Sequence, residues 1–287
     1  MSIERYKITD SKEFELENYS TTPGKEPLYN KEERKEVLEK NKDELRMYQD
    51  KLYADGRAGL LIIFQGIDGG GKDSAIRDVI GVNPQGVMVH SFKQPSSQEL
   101  RHDYLWRAAK VLPERGMIAV FNRSYYEDVL VVKVHEIYKK LNILDRCKDE
   151  KTIERRYVQI KNFEDYLWEN GILTVKIFLH LSKDEQCKRF LKRIDREDKN
   201  WKFSDSDLRE RGYWDDYQNA FEKAVAATST KRNPWWIVPA DDKPYTHSVV
   251  SDIILGTLKD INPVYPIVTD EQRKVLAESK EKLMKQK

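Results

Sequence analysis

The stretch IIFQGIDGGGKDSAI, residues 62–76, constrains this chain more than any other. Gly66 is followed, after four residues, by Gly71-Lys72, which is the spacing of a phosphate-binding loop. An apolar run at 59–65 leads into it and a helical pattern at 72–80 leads out, the context such a loop needs. Gly66, Gly69, Gly70 and Gly71 let the backbone curl so that its N–H groups face phosphate oxygens. The following helix adds the positive end of its dipole, and Lys72 a point charge for the terminal phosphates. The competing reading is a Gly-rich strand-to-helix turn beside a surface lysine. The flanking elements favour phosphate.

The residue after the lysine departs from the usual pattern. A Ser or Thr hydroxyl ordinarily stands there to ligate magnesium, whereas this chain has Asp73, with a second carboxylate, Asp68, inside the loop. Carboxylates facing phosphates repel them unless a cation lies between. At least one aspartate is therefore expected to hold Mg²⁺, directly or through its waters, and Asp68 is the preferred ligand. Asp73 reads either as part of the phosphate site or as a residue favoured by the helix dipole. Ser74 is a lesser candidate for the displaced hydroxyl.

Short apolar runs recur at 59–65, 87–92, 117–121, 172–181 and 235–239, with helical patterns near 72–80, 97–110, 124–140, 150–169, 182–195, 204–227 and 246–260. Strands alternating with helices imply βαβ units and a parallel sheet covered on both faces. Asn30 and Glu33 read as a capping box opening a packing helix that Gly56 ends. The expected domains are an N-terminal arm and packing helix (1–57), an α/β core (58–262) and a charged C-terminal helix or tail (263–287).

The chain carries 51 Lys and Arg against 49 Asp and Glu over 287 residues. Such balance excludes a uniformly basic polyanion binder, so any polyanion must meet positive charge concentrated locally. Two basic segments without interleaved aromatics are weak evidence for nucleic acid, and none is expected as a partner. No apolar run approaches membrane-spanning length, and the charged N-terminus is unlike a secretory leader. With only Cys147 and Cys187, a reducing cytoplasm is the expected setting, with no disulfide. His90, His102, His135, His180 and His247 have no metal-ligand spacing. Trp201, Trp214, Trp235 and Trp236 read as packing residues, one of which could stack on a base.

Asn122-Arg123 closes the third apolar run. Phosphate-loop proteins place a metal-binding carboxylate on a neighbouring strand. Asn122 is neutral and can only orient water or phosphate, which shifts metal duty further towards Asp68. Arg123 reads as a phosphate clamp, because its planar fork matches phosphate oxygens. Glu127 orients the acceptor or a metal-bound water, or belongs with Asp128 to a solvated helix face. Further on, Ser182 and Glu185 cap a helix on which Arg189, Arg193 and Arg196 form a stripe. That stripe is either an ordinary charged face or a lid that closes over phosphates.

GIDGGGKDSAIRDVIGVNPQGVMVHSFKQPS, HDYLWR, FNRSYYEDVLVVKVH, NWKFSDSDLRERGYWDDYQNAF and ATSTKRNPWWIVPADDK together resemble the polyphosphate kinase 2 family over about residues 30–265. FNRSYYEDVLV looks most like its third class, associated with phosphorylating both AMP and ADP. The resemblance implies a P-loop kinase-like three-layer αβα sandwich with a five-stranded parallel sheet and a helical lid at about 182–215. It implies phosphoryl transfer from inorganic polyphosphate to adenine nucleotides, with guanine nucleotides as a further class. The implied cofactor is Mg²⁺, with Mn²⁺ as a substitute, and the implied assembly a homo-oligomer, dimer or tetramer. The family's loop aspartate and lysine fall on Asp68 and Lys72, its strand-end arginine on Arg123 and its lid arginines on Arg189 and Arg193. Lys93 matches a lysine near the phosphate chain. Two rival readings stay open: an ATP-dependent nucleoside monophosphate kinase like thymidylate kinase, and a non-enzymatic polyphosphate-binding module. The first normally has a hydroxyl where Asp73 stands. Retention of Asp68, Lys72 and Arg123 together argues against the second.

Overall fold

The computed structural model describes residues 2–10, 14–81 and 83–286. Its strands are β1 (Lys7–Ile8), β2 (Gly59–Gln65), β3 (Val87–Ser91), β4 (Ile118–Asn122), β5 (Ile172–His180) and β6 (Trp235–Pro239). The helices are α1 (Glu33–Asp55), α2 (Lys72–Val79), α3 (Trp106–Ala109), α4 (Val131–Val134), α5 (Thr152–Glu169), α6 (Lys183–Ile194), α7 (Asp205–Gly212), α8 (Trp214–Thr228), α9 (Lys243–Ile261) and α10 (Asp270–Met284). All five apolar runs are strands.

The sheet order is β1-β6-β5-β2-β4-β3, and β2 to β6 are all parallel. The expectation of five strands needs one correction. Lys7–Ile8 in the N-terminal arm adds a sixth, pairing antiparallel with Trp235–Trp236 at the edge. Two residues are too few to show an alternating pattern, so this strand has no signature of its own.

Strand β2 shows why the sheet lies between two helical layers. Leu60, Ile62 and Phe64 face a core shared with α1, α2 and α9, while Leu61 and Ile63 face one shared with α5 and α8. Side chains alternate across a strand, so an unbroken apolar run supplies both cores. The Asn30–Glu33 capping box forms as expected: Glu33 N donates to Asn30 Oδ1 at 3.0 Å, and Asn30 N donates to Glu33 Oε2 at 2.9 Å.

Three helical expectations come out broken, and one of them is 204–227, which divides at Tyr213 into α7 and α8. Segment 97–110 is a 3-10 turn at Glu99–Arg101 followed by α3, and 124–140 is divided into 3-10 turns at Tyr125–Asp128 and Ile137–Lys140 around α4. Tyr125 and Tyr126 are fully buried, so core packing rather than helical periodicity fixes that backbone. Among the described residues, no helix is long and apolar enough to cross a membrane, and both cysteines are free.

Candidate active site

Open parallel sheets bind ligands beyond the carboxyl ends of their strands. Here the ends of β2 and β4, paired side by side, deliver the Gly66–Lys72 loop and Asn122-Arg123 to one place. Gly71, at φ 98°, is the N-cap of α2, and Gly69 has φ 84°. Both conformations favour glycine. A β-carbon on Gly69 would also lie 3.2 Å from the Phe190 ring of α6, which packs directly against the loop.

Lys72 is buried. Its ammonium donates to the carbonyls of Gly66 at 2.5 Å and Ile67 at 3.1 Å, so it lies folded along the loop. Burial, reinforced by the Arg123 charge, pulls its pKa down to about 8. The Asp68 carboxylate pairs with Arg123. Burial pushes Asp68 up, but Arg123 and Lys72 prevail and hold it below its ordinary value. Arg123 also lies 3.5 Å from Glu127, and Glu127 is the main cause of its raised pKa. Arg123 has φ 63°, a left-handed backbone that a non-glycine residue adopts only when its surroundings impose it.

The loop's second carboxylate, Asp73, is exposed and accepts from the Asn122 amide at 2.7 Å, joining the start of α2 to the end of β4. Ser74 donates to Gly71 O at 2.8 Å, inside its own turn. Lys93, just past β3, is exposed.

The two arginines expected on a lid, both on α6, differ sharply. Arg189 is buried, donating to Gly69 O at 2.9 Å, Ala240 O at 2.6 Å and Glu185 Oε1 at 2.9 Å. It is a brace between α6, the phosphate loop and the end of β6. Arg193 is half-buried, 3.8 Å from Asp207, with its guanidinium 5.3 Å from the Phe190 ring centre.

A small cavity of about 40 Å³ joins Gly66, Asp68, Arg123 and Glu127 to Gln186, Glu210, Arg211, Trp214 and Tyr217. The last five were missed as site residues. Gln186 donates to Asp68 O at 2.7 Å and accepts from Arg211 at 2.8 Å, linking α7 to the loop. Tyr217 donates to Glu210 at 2.6 Å. Glu210, Trp214, Tyr217 and Phe221 recur at steps of four, three and four, a stripe that could have flagged them. A larger cavity, about 1190 Å³, lies between arm residues and β6, and none of the predicted site residues line it. Of the tryptophans, Trp235 and Trp236 are core residues, Trp201 is exposed and Trp214 lines the small cavity.

The donor set fits magnesium. Among the described residues no cluster of three or more His, Cys, Asp or Glu side chains could hold a metal. Mg²⁺ is commonly held by one or two carboxylates, its own waters and substrate phosphates, which a single loop aspartate suits.

Comparisons with known proteins show what the whole chain is similar to in sequence and in fold. The family model described as Polyphosphate kinase 2 (PPK2) matches residues 28–265. An ADP-polyphosphate phosphotransferase of Rhodopseudomonas palustris is 46% identical, covering 99% of each chain. An AMP/ADP-polyphosphate phosphotransferase of Meiothermus ruber is 38% identical over 96% of this chain and 100% of the relative. The crystal structure of Polyphosphate Kinase 2 from Arthrobacter aurescens TC1 superposes with a TM-score of 0.87 at 36% identity, covering 97% of both chains.

Proposed function

This chain belongs to the polyphosphate kinase 2 family, and from that premise we propose that it transfers phosphoryl groups reversibly from inorganic polyphosphate to AMP and ADP, giving ADP and ATP. The observation that carries the reading is the meeting of Lys72, Asp68 and Arg123 at the carboxyl ends of two adjacent strands. Relatives named for ADP and for AMP/ADP support the acceptor class.

The chemistry explains the residues. The bond broken and the bond formed are both phosphoanhydrides, so the reaction runs either way with substrate excess. The attacking oxygen belongs to a nucleotide phosphate and is already anionic near neutral pH, so no strong base is required. Catalysis then reduces to alignment and charge neutralisation. Lys72 moves from the loop carbonyls to the phosphates, and Arg123 clamps the oxygens of the transferred group. Glu127 orients Arg123 or the acceptor. Gly66, Gly69, Gly70 and Gly71 present backbone N–H groups, and Asn122 holds Asp73 at the start of α2. Arg193 and Lys93 supply charge for the rest of the polyphosphate, while Arg189 acts by holding the loop. Asp68 is the residue that would hold Mg²⁺, or Mn²⁺ in its place, and the bound metal would neutralise phosphate charge.

Residues 58–262 would form the catalytic core, with 182–215 as lid and 1–57 and 263–287 as flanking segments. A cytoplasmic homo-oligomer, acting on adenine and also guanine nucleotides, completes the reading. Phosphorus NMR of mid-length polyphosphate with Mg²⁺ and ADP, and separately AMP, tests it. Growth of nucleotide γ- and β-phosphate signals as polyphosphate shortens supports the reading, and no polyphosphate-dependent signal refutes it.

A further inference from the structure

A run of buried polar groups leads from the core to the strand-end arginine. Glu164 of α5 and Lys176 of β5 are wholly buried and meet at 2.7 Å. The other oxygen of Glu164 accepts both neighbouring tyrosine hydroxyls, Tyr125 at 3.0 Å and Tyr126 at 2.8 Å. Lys176 also donates to Thr228 O at 2.8 Å and to the Tyr126 hydroxyl at 3.2 Å. Burial works against both charges, raising the Glu164 pKa and lowering that of Lys176.

Stability alone is a weak reason for such a pair, because apolar residues of similar volume often do as well or better. Its position offers another reason. Tyr125 and Tyr126 lie two and three residues after Arg123, whose left-handed backbone persists only when its surroundings over-determine it. On the β2 side, Arg123 N donates to Phe64 O at 3.0 Å. Between them, Ser124 accepts from Gln65 and from Tyr126 N, each at 3.1 Å. The Arg123 side chain is held by Asp68 and Glu127, and the two buried tyrosines that follow add a further hold whose hydroxyls both end on Glu164.

We propose that the Glu164–Lys176 pair is a positioning device for phosphoryl transfer: by gripping the Tyr125 and Tyr126 hydroxyls it keeps Arg123 in the conformation that aims its guanidinium at the phosphate loop. Neither residue of the pair touches substrate. The inference rests on the function proposed above. It also accounts for Lys176, a lysine inside the apolar strand ILTVKIFLH that no sequence motif explains.

The test is a double-mutant cycle. Glu164→Gln, and the Tyr125→Phe/Tyr126→Phe pair, are each made in the wild-type and Arg123→Ala backgrounds. Polyphosphate-dependent ATP formation from ADP gives kcat and KM, and thermal melts report folding. Each change should lower kcat about ten- to hundredfold in the wild-type background. On Arg123→Ala the further loss should be under about twofold, because the group being positioned is gone. Equal fold-losses in the two backgrounds, or an unchanged kcat with a lowered Tm, overturn the inference. Should Glu164→Gln fail to fold, the tyrosine pair, which loses only hydroxyls, decides the question. Wild-type enzyme without polyphosphate-dependent turnover overturns the functional reading and this inference together. Wild-type turnover with equal losses overturns the inference alone.

Discussion

Arg123 and Asp68, 55 positions apart in the chain, form an ion pair at the mouth of the phosphate loop. Each holds the other ionised, and each stands where a phosphate or its metal would approach. Under the proposed function, this pair would separate around an incoming polyanion.

Replacing Asp68 with Asn keeps its shape and removes its charge. We expect kcat to fall about a hundredfold or more, in line with the loss of one preorganised electrostatic group. The Mg²⁺ concentration needed for half-maximal rate should rise, while Tm moves by only a few degrees. Steady-state rates across a magnesium titration check this. A fully active Asp68→Asn enzyme would remove the metal assignment.

The depressed pKa of Lys72 sets a pH dependence. With the free-enzyme value near 8, the charged lysine is lost as pH rises through 8, so kcat/KM for polyphosphate should fall above it. Bound phosphate favours the charged form, so the limb in kcat should lie higher. The stability sign is opposite. Between pH 8 and the ordinary value of 10.5 the unfolded chain binds more protons, so this group makes the folded state gain stability as pH rises through that window. A pH–rate profile of wild type beside Lys72→Arg, whose side chain stays charged, checks the assignment. Persistence of the limb in the variant would assign it to another group.

Arg189 and Arg193 should separate in their effects. Arg193→Ala should raise the polyphosphate KM several-fold with little change in Tm, since its protein contacts are loose. Arg189→Ala leaves the buried carbonyl of Ala240 and the part-buried carbonyl of Gly69 without this donor. It should cost on the order of 2–5 kcal/mol of stability. Denaturant melts and substrate titrations of both variants distinguish the roles. An unchanged polyphosphate KM and rate for Arg193→Ala would refute its part in donor binding.

Gly69→Ala places a β-carbon at positive φ and against Phe190. The left-handed strain alone is about 1–2 kcal/mol. The expected result is a lower Tm and a loss of kcat, with partial recovery when Phe190→Leu is added. No recovery would mean that backbone strain, rather than the ring contact, dominates.

Much of this was legible in the sequence, for identifiable reasons. Strand β2 came out at its expected bounds because an unbroken apolar run between a helix stop and a glycine loop has few alternatives. Arg123 and Asp68 stand out because loop spacing and strand ends are local features, and the structure brings the two side chains together. What escaped depends on tertiary placement. Arg189 and Arg193 sit four apart on one helix and look equivalent in sequence, yet of the two it is Arg189 that donates to a loop carbonyl, Gly69 O. The turn at Tyr125–Asp128 reads as helix until the burial of both tyrosines overrides the periodicity. Arg211 reaches Gln186, which itself donates to Asp68 O, only because α7 folds back over α6.

The most direct measurement is the initial rate of ATP formation by wild type and Lys72→Ala, with polyphosphate, Mg²⁺ and either AMP or ADP, beside tubes holding ATP and dTMP. The account predicts polyphosphate-dependent ATP from both acceptors in wild type, a loss of about a hundredfold or more in the variant, and no turnover of dTMP. Turnover of dTMP by ATP without any polyphosphate-dependent signal, or equal rates in wild type and Lys72→Ala, would contradict it.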